Sequence, residues 1–244
     1  MVDIHCHILP GVDDGARTLE ESLEMARISA ESGVEMIIAT PHCNIPWSYQ
    51  PNYLSEELLE YFAAFREQLR QEQIPVALGL GSEVYCTSQL RRLLEQRMLL
   101  PLAGSRYLLV EFPFHGPLYM MDDLLAQVAA EGLVPVIAHP ERYEALQQEP
   151  FAAERWFQQG YVIQLNKGSI LGDLGRSARD TAYWLLDNGL AHVVASDAHD
   201  TRGRTPDMQR LREMLEQGVG RDYARILLKK NPMRIVKDLP VAEA

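Results

Sequence analysis

The chain has 244 residues, 47% of them hydrophobic, and a formal net charge of −11. That length holds one large α/β domain or two small ones, with enough apolar residues to bury a sizeable core. The acidic balance counts against a general nucleic-acid binder, which needs a basic face, and three cysteines (Cys6, Cys43 and Cys86) are too few for a disulfide framework and fit a reducing compartment.

The N-terminus has no basic segment leading into an apolar one, so no secretory signal is read there. No window reaches the roughly 18 apolar residues of a membrane span. The expectation is a soluble cytoplasmic protein with no inserted segment.

In chain order, VDIHC (2–6) reads as the first strand. TLEESLEMARISAESG (18–33) follows as a helix, with Thr18 and Glu21 as a capping box and Gly33 as a stop. EMIIAT (35–40) is the second strand, and a helix runs from about Tyr53 to Gln71. VALGLGSEV (76–84) and YLLVEF (107–112) are the third and fourth strands; DDLLAQVAAEG (122–132) is a helix ending in glycine. VPVIAH (134–139), YVIQLN (161–166), the helix ARDTAYWLLDNG (178–189) and HVVAS (192–196) complete the series. Strands that alternate with helices and read as buried Val/Ile-rich runs predict a parallel sheet. It is either open and doubly wound or closed into a barrel. Neither G-x-G-x-x-G nor a P-loop follows the first strand, so the nucleotide-binding open sheets lose their main support.

The chemistry-bearing residues collect at strand ends. His5 and His7 end the first strand, His42 follows the second, Glu83 ends the third and Glu111 the fourth. His139 ends the fifth, and Asp197 and His199 follow the seventh. In a parallel barrel those carboxyl ends share one face, which is where active sites sit. Five of the seven histidines belong to this set, whereas His115 and His192 read as ordinary hydrogen-bonding residues. Side chains at i and i+2 of a strand point the same way, so His5 and His7 can hold one ion together while Cys6 faces away. Imidazoles and carboxylates suit Zn, Mn and Fe; a closed structural zinc site would call for cysteines. Glu83 and Glu111 interrupt apolar runs, where an unpaired buried carboxylate is costly. A carboxylate such as Glu83 can bridge two ions, and paired ions stabilise both attacking and leaving oxygens. Cys86 and Arg92 have the C-x5-R spacing of cysteine-dependent tyrosine phosphatases, but TSQLRRLLEQR contains no glycine and reads as a helix, so the spacing is judged accidental.

HxH after the first strand, Asp14 behind it, and the strand-end His42, Glu83, His139 and Asp197-x-His199 together resemble the PHP (polymerase and histidinol phosphatase) superfamily. At finer grain, DIHCHILPGVDDG, EVY, EFPF, VIAHPERY and VVASDAH are similar to the PHP-type bacterial protein tyrosine phosphatases (CpsB/YwqE-like) of capsule and exopolysaccharide systems. The resemblance spans nearly the whole chain. It implies a distorted (β/α)7 TIM-like barrel as a single domain over 1–244, holding three divalent ions. Manganese is the expected ion, with Fe, Zn, Co and Mg as alternatives. By resemblance, His5, His7, Glu83 and Asp197 hold the first ion, Glu83, Glu111 and His139 the second, and Asp14, His42 and His199 the third. Asp13 is then a turn residue or a partner of a ligand. Arg142 in HPERY and Arg204 in TRGRTP match the family's phosphate-binding arginines, with Arg202 the alternative at the second place.

The implied reaction is hydrolysis of phosphotyrosine by a metal-bridging hydroxide, with the two arginines forking onto phosphate oxygens. His199 is a candidate for helping the phenol leave, and Trp47, Phe112, Phe114 and Tyr143 are candidates to wall its ring. The implied partner is a tyrosine-phosphorylated protein, a bacterial autokinase that controls polysaccharide export, with no role for nucleic acid; the oligomeric state stays open. The rivals are another PHP phosphoesterase (histidinol-phosphatase-like or nuclease-like), an amidohydrolase with Lys167 as its bridging lysine, and a non-catalytic metal-binding scaffold.

Overall fold

Short Val/Ile/Leu runs buried on both faces need a parallel sheet with both faces covered, and here helices cover one side while strand side chains fill the other. The computed structural model describes residues 1–48 and 51–242. Among them are nine strands: β1 (Val2–Cys6), β2 (Met36–Ala39), β3 (His42–Cys43), β4 (Ala77–Leu80), β5 (Glu83–Tyr85), β6 (Tyr107–Glu111), β7 (Val134–Ala138), β8 (Val162–Asn166) and β9 (Val193–Ala195). Every pairing between them is parallel. One ladder runs β1-β2-β4 and the other β3-β5-β6-β7-β8-β9.

The two ladders form one closed ring. β3 continues the path of β2 beyond Pro41, and β5 continues β4 beyond Gly81. Gly81 N donates to Ala39 O at 2.9 Å and Glu83 N to Pro41 O at 3.1 Å, so the break is bridged. At the seam, Asp197 N donates to His5 O and His7 N to Ala198 O, both at 2.9 Å. The result is a seven-stave parallel barrel, distorted because two staves are broken in the middle. The expected VALGLGSEV strand is therefore two strands, and β3 is a separate element beyond EMIIAT. The physical causes are Pro41, which has no N–H to give a ladder, and the inward-facing Gly79 and Gly81. A Cβ on Gly79 would stand 2.6 Å from Ile38 Cδ1, and one on Gly81 2.9 Å from Leu102 Cδ2.

Inside the ring, Val2, Ile4, Leu109, Val136, Val162 and Val193 form a dry core, joined by Leu102 and Ile235 from segments outside the strands. A larger cluster lies between the strands and the outer helices. Alternation carries the inward face upward. Along β6, Tyr107 and Leu109 belong to the inner core while Leu108 and Val110 belong to the outer one, so Glu111 is the next inward position. β1 breaks this parity: Ile4 is in the inner core and Cys6 in the outer one, with a register shift between Asp3 and Cys6. The bulge lets Ile4 fill the barrel and still turns His5 and His7 to its upper end.

The helices lie close to their expected places, at Leu19–Glu31, Glu56–Gln71, Leu118–Ala130 and Arg176–Asp187. Thr18 caps the first by accepting from Glu21 N at 3.2 Å. The reciprocal arm of the capping box differs: the Glu21 carboxylate accepts from Arg17 N at 2.9 Å. Among the described residues no helix is long and apolar enough to cross a membrane.

Candidate metal centre

The barrel brings every predicted ligand to one end. His5 Nε2 lies 3.2 Å from Glu83 Oε1, 3.4 Å from Asp197 Oδ1 and 3.2 Å from His7 Nε2. His7 Nε2 is 3.2 Å from Glu83 Oε2. His42 Nδ1 is 3.0 Å from Glu83 Oε2 and 3.8 Å from Glu111 Oε2, and His139 Nε2 is 2.9 Å from Glu83 Oε1. His42 Nε2 and His199 Nε2 each stand 3.4 Å from Asp14 Oδ1. Glu83 is the hub, with imidazoles on both oxygens.

Whether these residues fit divalent ions is decided by their unpaired atoms. Glu83 Oε2 and His42 Nδ1 are close yet not aligned for a hydrogen bond, and both are buried without a hydrogen-bond partner, as are His139 Nδ1 and His199 Nε2. Buried polar groups left this way carry a desolvation penalty. Donors around one ion at about 2.1 Å stand roughly 3–3.5 Å apart, which is the spacing seen here. The donor atoms group as His7–Asp14–His42–His199, His5–His7–Glu83, His5–His139–Asp197 and His42–Glu83–Glu111, each set within 4.8 Å. Relative to the sets implied by resemblance, His7 joins the Asp14 group, His42 sits beside Glu111, and His139 also approaches Asp197.

The candidate ligands are aimed by groups behind them. His5 Nδ1 donates to Gln164 Oε1 at 2.9 Å and His7 Nδ1 to Asp13 Oδ2 at 2.7 Å. This places both Nε2 lone pairs toward the centre. Asp13 also accepts from Gly15 N and His42 N, each at 2.9 Å. Gly15 has no substitute there, because a Cβ would fall 2.1 Å from His7 O. His139 and Asp197 both adopt left-handed backbone, φ 35° and 50°, which turns their side chains inward just past the strand ends.

Burial would raise the Glu83 carboxyl, but the His5 and His42 imidazoles overcome it and hold it well below the usual range. Burial also opposes ionisation of Asp197; His5, His7 and Arg204 reverse that and keep it an anion. Burial and the neighbouring Glu83 charge push Glu111 up to about 8. Burial lowers His139 to about 4 and lowers His199 as well, which keeps both imidazoles neutral and able to ligate.

Arg142 and Arg204 both reach this end. Arg204 Nη2 lies 2.5 Å and Arg142 Nη1 3.5 Å from Asp197 Oδ2, and Arg142 stacks 4.4 Å from the centre of the Phe114 ring. Arg202 is exposed and lines a neighbouring hollow instead. Above the carboxylates opens a cavity of about 730 Å³, walled by Trp47, Tyr85, Phe114 and Pro113. Of the expected aromatic walls, Tyr143 is not one: it is fully buried, and its hydroxyl donates to Ala138 O and accepts from Phe112 N. Phe112 touches the cavity but is 1% exposed.

Tyr85, Gln164 and Asn166 were not singled out in the sequence. Asn166 Nδ2 donates to Asp197 Oδ2 at 2.5 Å, while its Oδ1 accepts from Gly168 N. The available signal was polarity at the inward positions of an otherwise apolar strand, YVIQLN.

The rival features lie elsewhere. Cys86 is buried and burial pushes its thiol well above the ordinary value, while Arg92 is exposed on the Leu90–Glu95 helix. Lys167 donates to Thr205 O and Asp207 O, facing away from the ligands. His115 pairs with Glu144 at 2.9 Å, and His192 stacks on Phe157.

The profile of a family described as capsular polysaccharide synthesis, CpsB/CapC, matches residues 1–237. The chain is 36% identical to the tyrosine-protein phosphatase YwqE of Bacillus subtilis over 93% of this chain and 88% of that one. It is 32% identical to the tyrosine-protein phosphatase CpsB of Streptococcus pneumoniae over 98% and 99%. A solved structure from work on the crystal structures of YwqE from Bacillus subtilis and CpsB from Streptococcus pneumoniae, described as unique metal-dependent tyrosine phosphatases, superposes with a TM-score of 0.91 at 33% identity, covering 100% of this chain and 97% of that one. The phosphotriesterase of Mycobacterium tuberculosis shares the barrel alone, with a TM-score of 0.60 at 10% identity.

Proposed function

The chain belongs to the CpsB/CapC family of capsular polysaccharide synthesis, and from that premise we propose how its own residues carry out metal-dependent hydrolysis of phosphotyrosine. The protein is a metal-dependent tyrosine phosphatase. The observation that carries the residue assignment is the hub at Glu83: four imidazoles within 3.2 Å of its two oxygens, with Glu83 Oε2 and His42 Nδ1 left without a hydrogen-bond partner.

We assign His5, His7, Glu83 and Asp197 to one ion, Glu83, Glu111 and His139 to a second, and Asp14, His42 and His199 to a third, with manganese the preferred metal. Bound divalent ions supply Lewis-acid charge for phosphoryl transfer to water. Asp13 and Gln164 hold the Nδ1 protons of His7 and His5, which keeps the opposite nitrogens free to ligate. Arg142 and Arg204 turn from Asp197 onto the phosphate oxygens, a pairing that guanidinium geometry favours. We read His199 as a ligand rather than a proton donor, a reading supported by its Nδ1 lying 3.1 Å from Asp197 O and its Nε2 facing Asp14. The phenol, with a pKa of about 10, leaves with modest help. Trp47, Tyr85 and Phe114 flank its ring, and this aromatic lining favours an aryl over a short alkyl phosphate.

The link of the family to capsular polysaccharide synthesis supports a tyrosine-phosphorylated autokinase of polysaccharide export as the natural substrate. We place the protein in the cytoplasm, where three free buried cysteines stay reduced, and read 1–244 as one catalytic domain. The test is phosphate release from a phosphotyrosine peptide after chelation and after Mn²⁺ addition, with metal content measured on the same sample. Expected is activity that needs metal and survives Cys86→Ser. Activity that ignores chelation and dies with Cys86→Ser overturns the assignment.

A further inference from the structure

Seven large hydrophobic side chains are exposed among the described residues, and four of them fall within one stretch: Trp47, Leu54, Leu59 and Tyr61. Single exposed apolar residues are ordinary, but two that share one groove, as Leu54 and Tyr61 do, point to an interaction surface. Trp47 stands at the mouth of the cavity over the carboxylates. Leu54 and Tyr61 line a separate groove of about 600 Å³, together with Leu58 and Met98. Val12 lines both hollows, so the groove lies directly beside the cavity.

The groove is held in register with the ligands. Asn52 Nδ2 donates to His42 O at 2.8 Å and to Val12 O at 3.1 Å. Leu54 N donates to Met98 O at 2.8 Å, and the Tyr61 hydroxyl donates to Pro10 O. A groove fixed in this way costs little ordering when it is filled. Its only charged lining residue among those described is Glu57, which disfavours an anionic occupant.

We propose that this groove receives an apolar side chain flanking the phosphotyrosine of the substrate protein. The proposal rests on the phosphatase reading above and adds a sequence preference to it. An extended peptide with its phosphate at the arginines sends alternate side chains the same way, and one of them enters between Leu54 and Tyr61. A small aryl phosphate reaches the cavity and leaves the groove untouched.

The experiment moves one leucine through the positions flanking phosphotyrosine in an otherwise Gly/Ser peptide. It measures kcat/KM for the wild type and for Leu54→Glu and Leu54→Ser, with a chromogenic aryl phosphate alongside. Expected is a single flanking position at which leucine raises kcat/KM by about 10-fold, through KM, as partial burial of a leucine gives. Leu54→Glu should abolish that gain and Leu54→Ser reduce it, with aryl phosphate turnover unchanged in both. A flat leucine scan, or a preference that survives Leu54→Glu, overturns the proposal. So does sedimentation showing that the wild type self-associates and Leu54→Glu does not, with peptide kinetics alike; the groove then belongs to a second copy. Loss of all metal-dependent turnover, aryl phosphate included, is the separate signature of a failed phosphatase reading.

Discussion

The two ends of the barrel are built from the same strands under opposite rules. In the lower half the inward positions are Val2, Ile4, Val136, Val162 and Val193, with Leu102 and Ile235 packed among them. In the upper half the inward positions are His5, His7, Glu83, Glu111, Gln164 and Asn166, all buried. The lower half gains free energy from dry packing. The upper half spends some of it, because carboxylates and imidazoles are desolvated there and several of their polar atoms have no hydrogen-bond partner. Stability and chemistry are thus divided along each strand rather than between separate parts of the chain.

Substitutions that treat the two ends alike would break that contrast. Glu83→Gln removes the charge on which the imidazoles converge. It should cut metal-dependent turnover by roughly 10³-fold, several kcal/mol of transition-state stabilisation, while leaving thermal stability in chelator equal or higher. Leu109→Ala should do the reverse and lower unfolding stability by about 2–5 kcal/mol, with kcat/KM of the folded fraction intact. Denaturant melts and peptide kinetics on both variants decide the matter; a large loss of stability in Glu83→Gln would erase the division.

Smaller effects sharpen it. His192 lies below, where burial lowers its pKa to about 4 and its Nδ1 accepts from Ile163 N. Its folded pKa is below the unfolded one, so the native state binds fewer protons and stability falls as pH drops from 6.5 towards 4. That limb, up to about 3 kcal/mol, should flatten in His192→Gln when unfolding is followed against pH. Asp13→Asn or Gln164→Ala should weaken metal retention against a chelator by about 10- to 100-fold, since each only aims a ligand. Cys86→Ser should leave turnover within about twofold, because its thiol is buried outside the barrel.

Sequence reading reached the upper end more fully than the lower. Histidines and acids at strand ends stand out against apolar runs, and strand alternation says which way they face. Pro41 and Gly81 were visible but not their effect: a break in a stave depends on what occupies the barrel beside it, here Leu102, far along the chain. Gln164 and Asn166 do not stand out in the sequence, because a single amide in a strand carries no motif. Their roles arise only when β8 lies next to His5 and Asp197. The Leu54–Tyr61 groove was equally hidden, since exposure of a leucine is a property of the assembled surface.

The seam of the barrel has a consequence for the order of events during synthesis. Asp3 accepts from Ser196 N, 193 positions away, and Asp197 N donates to His5 O in the same closure. Contacts so far apart in sequence reward the chain only after the loop-closure entropy between them has been met. A nascent chain therefore carries His5 and His7 for most of its translation without the residues that complete their site. The set proposed for His5 and His7 is complete only once the ribosome has delivered Asp197 behind β9, whereas Glu83, Glu111 and His139 are all made earlier.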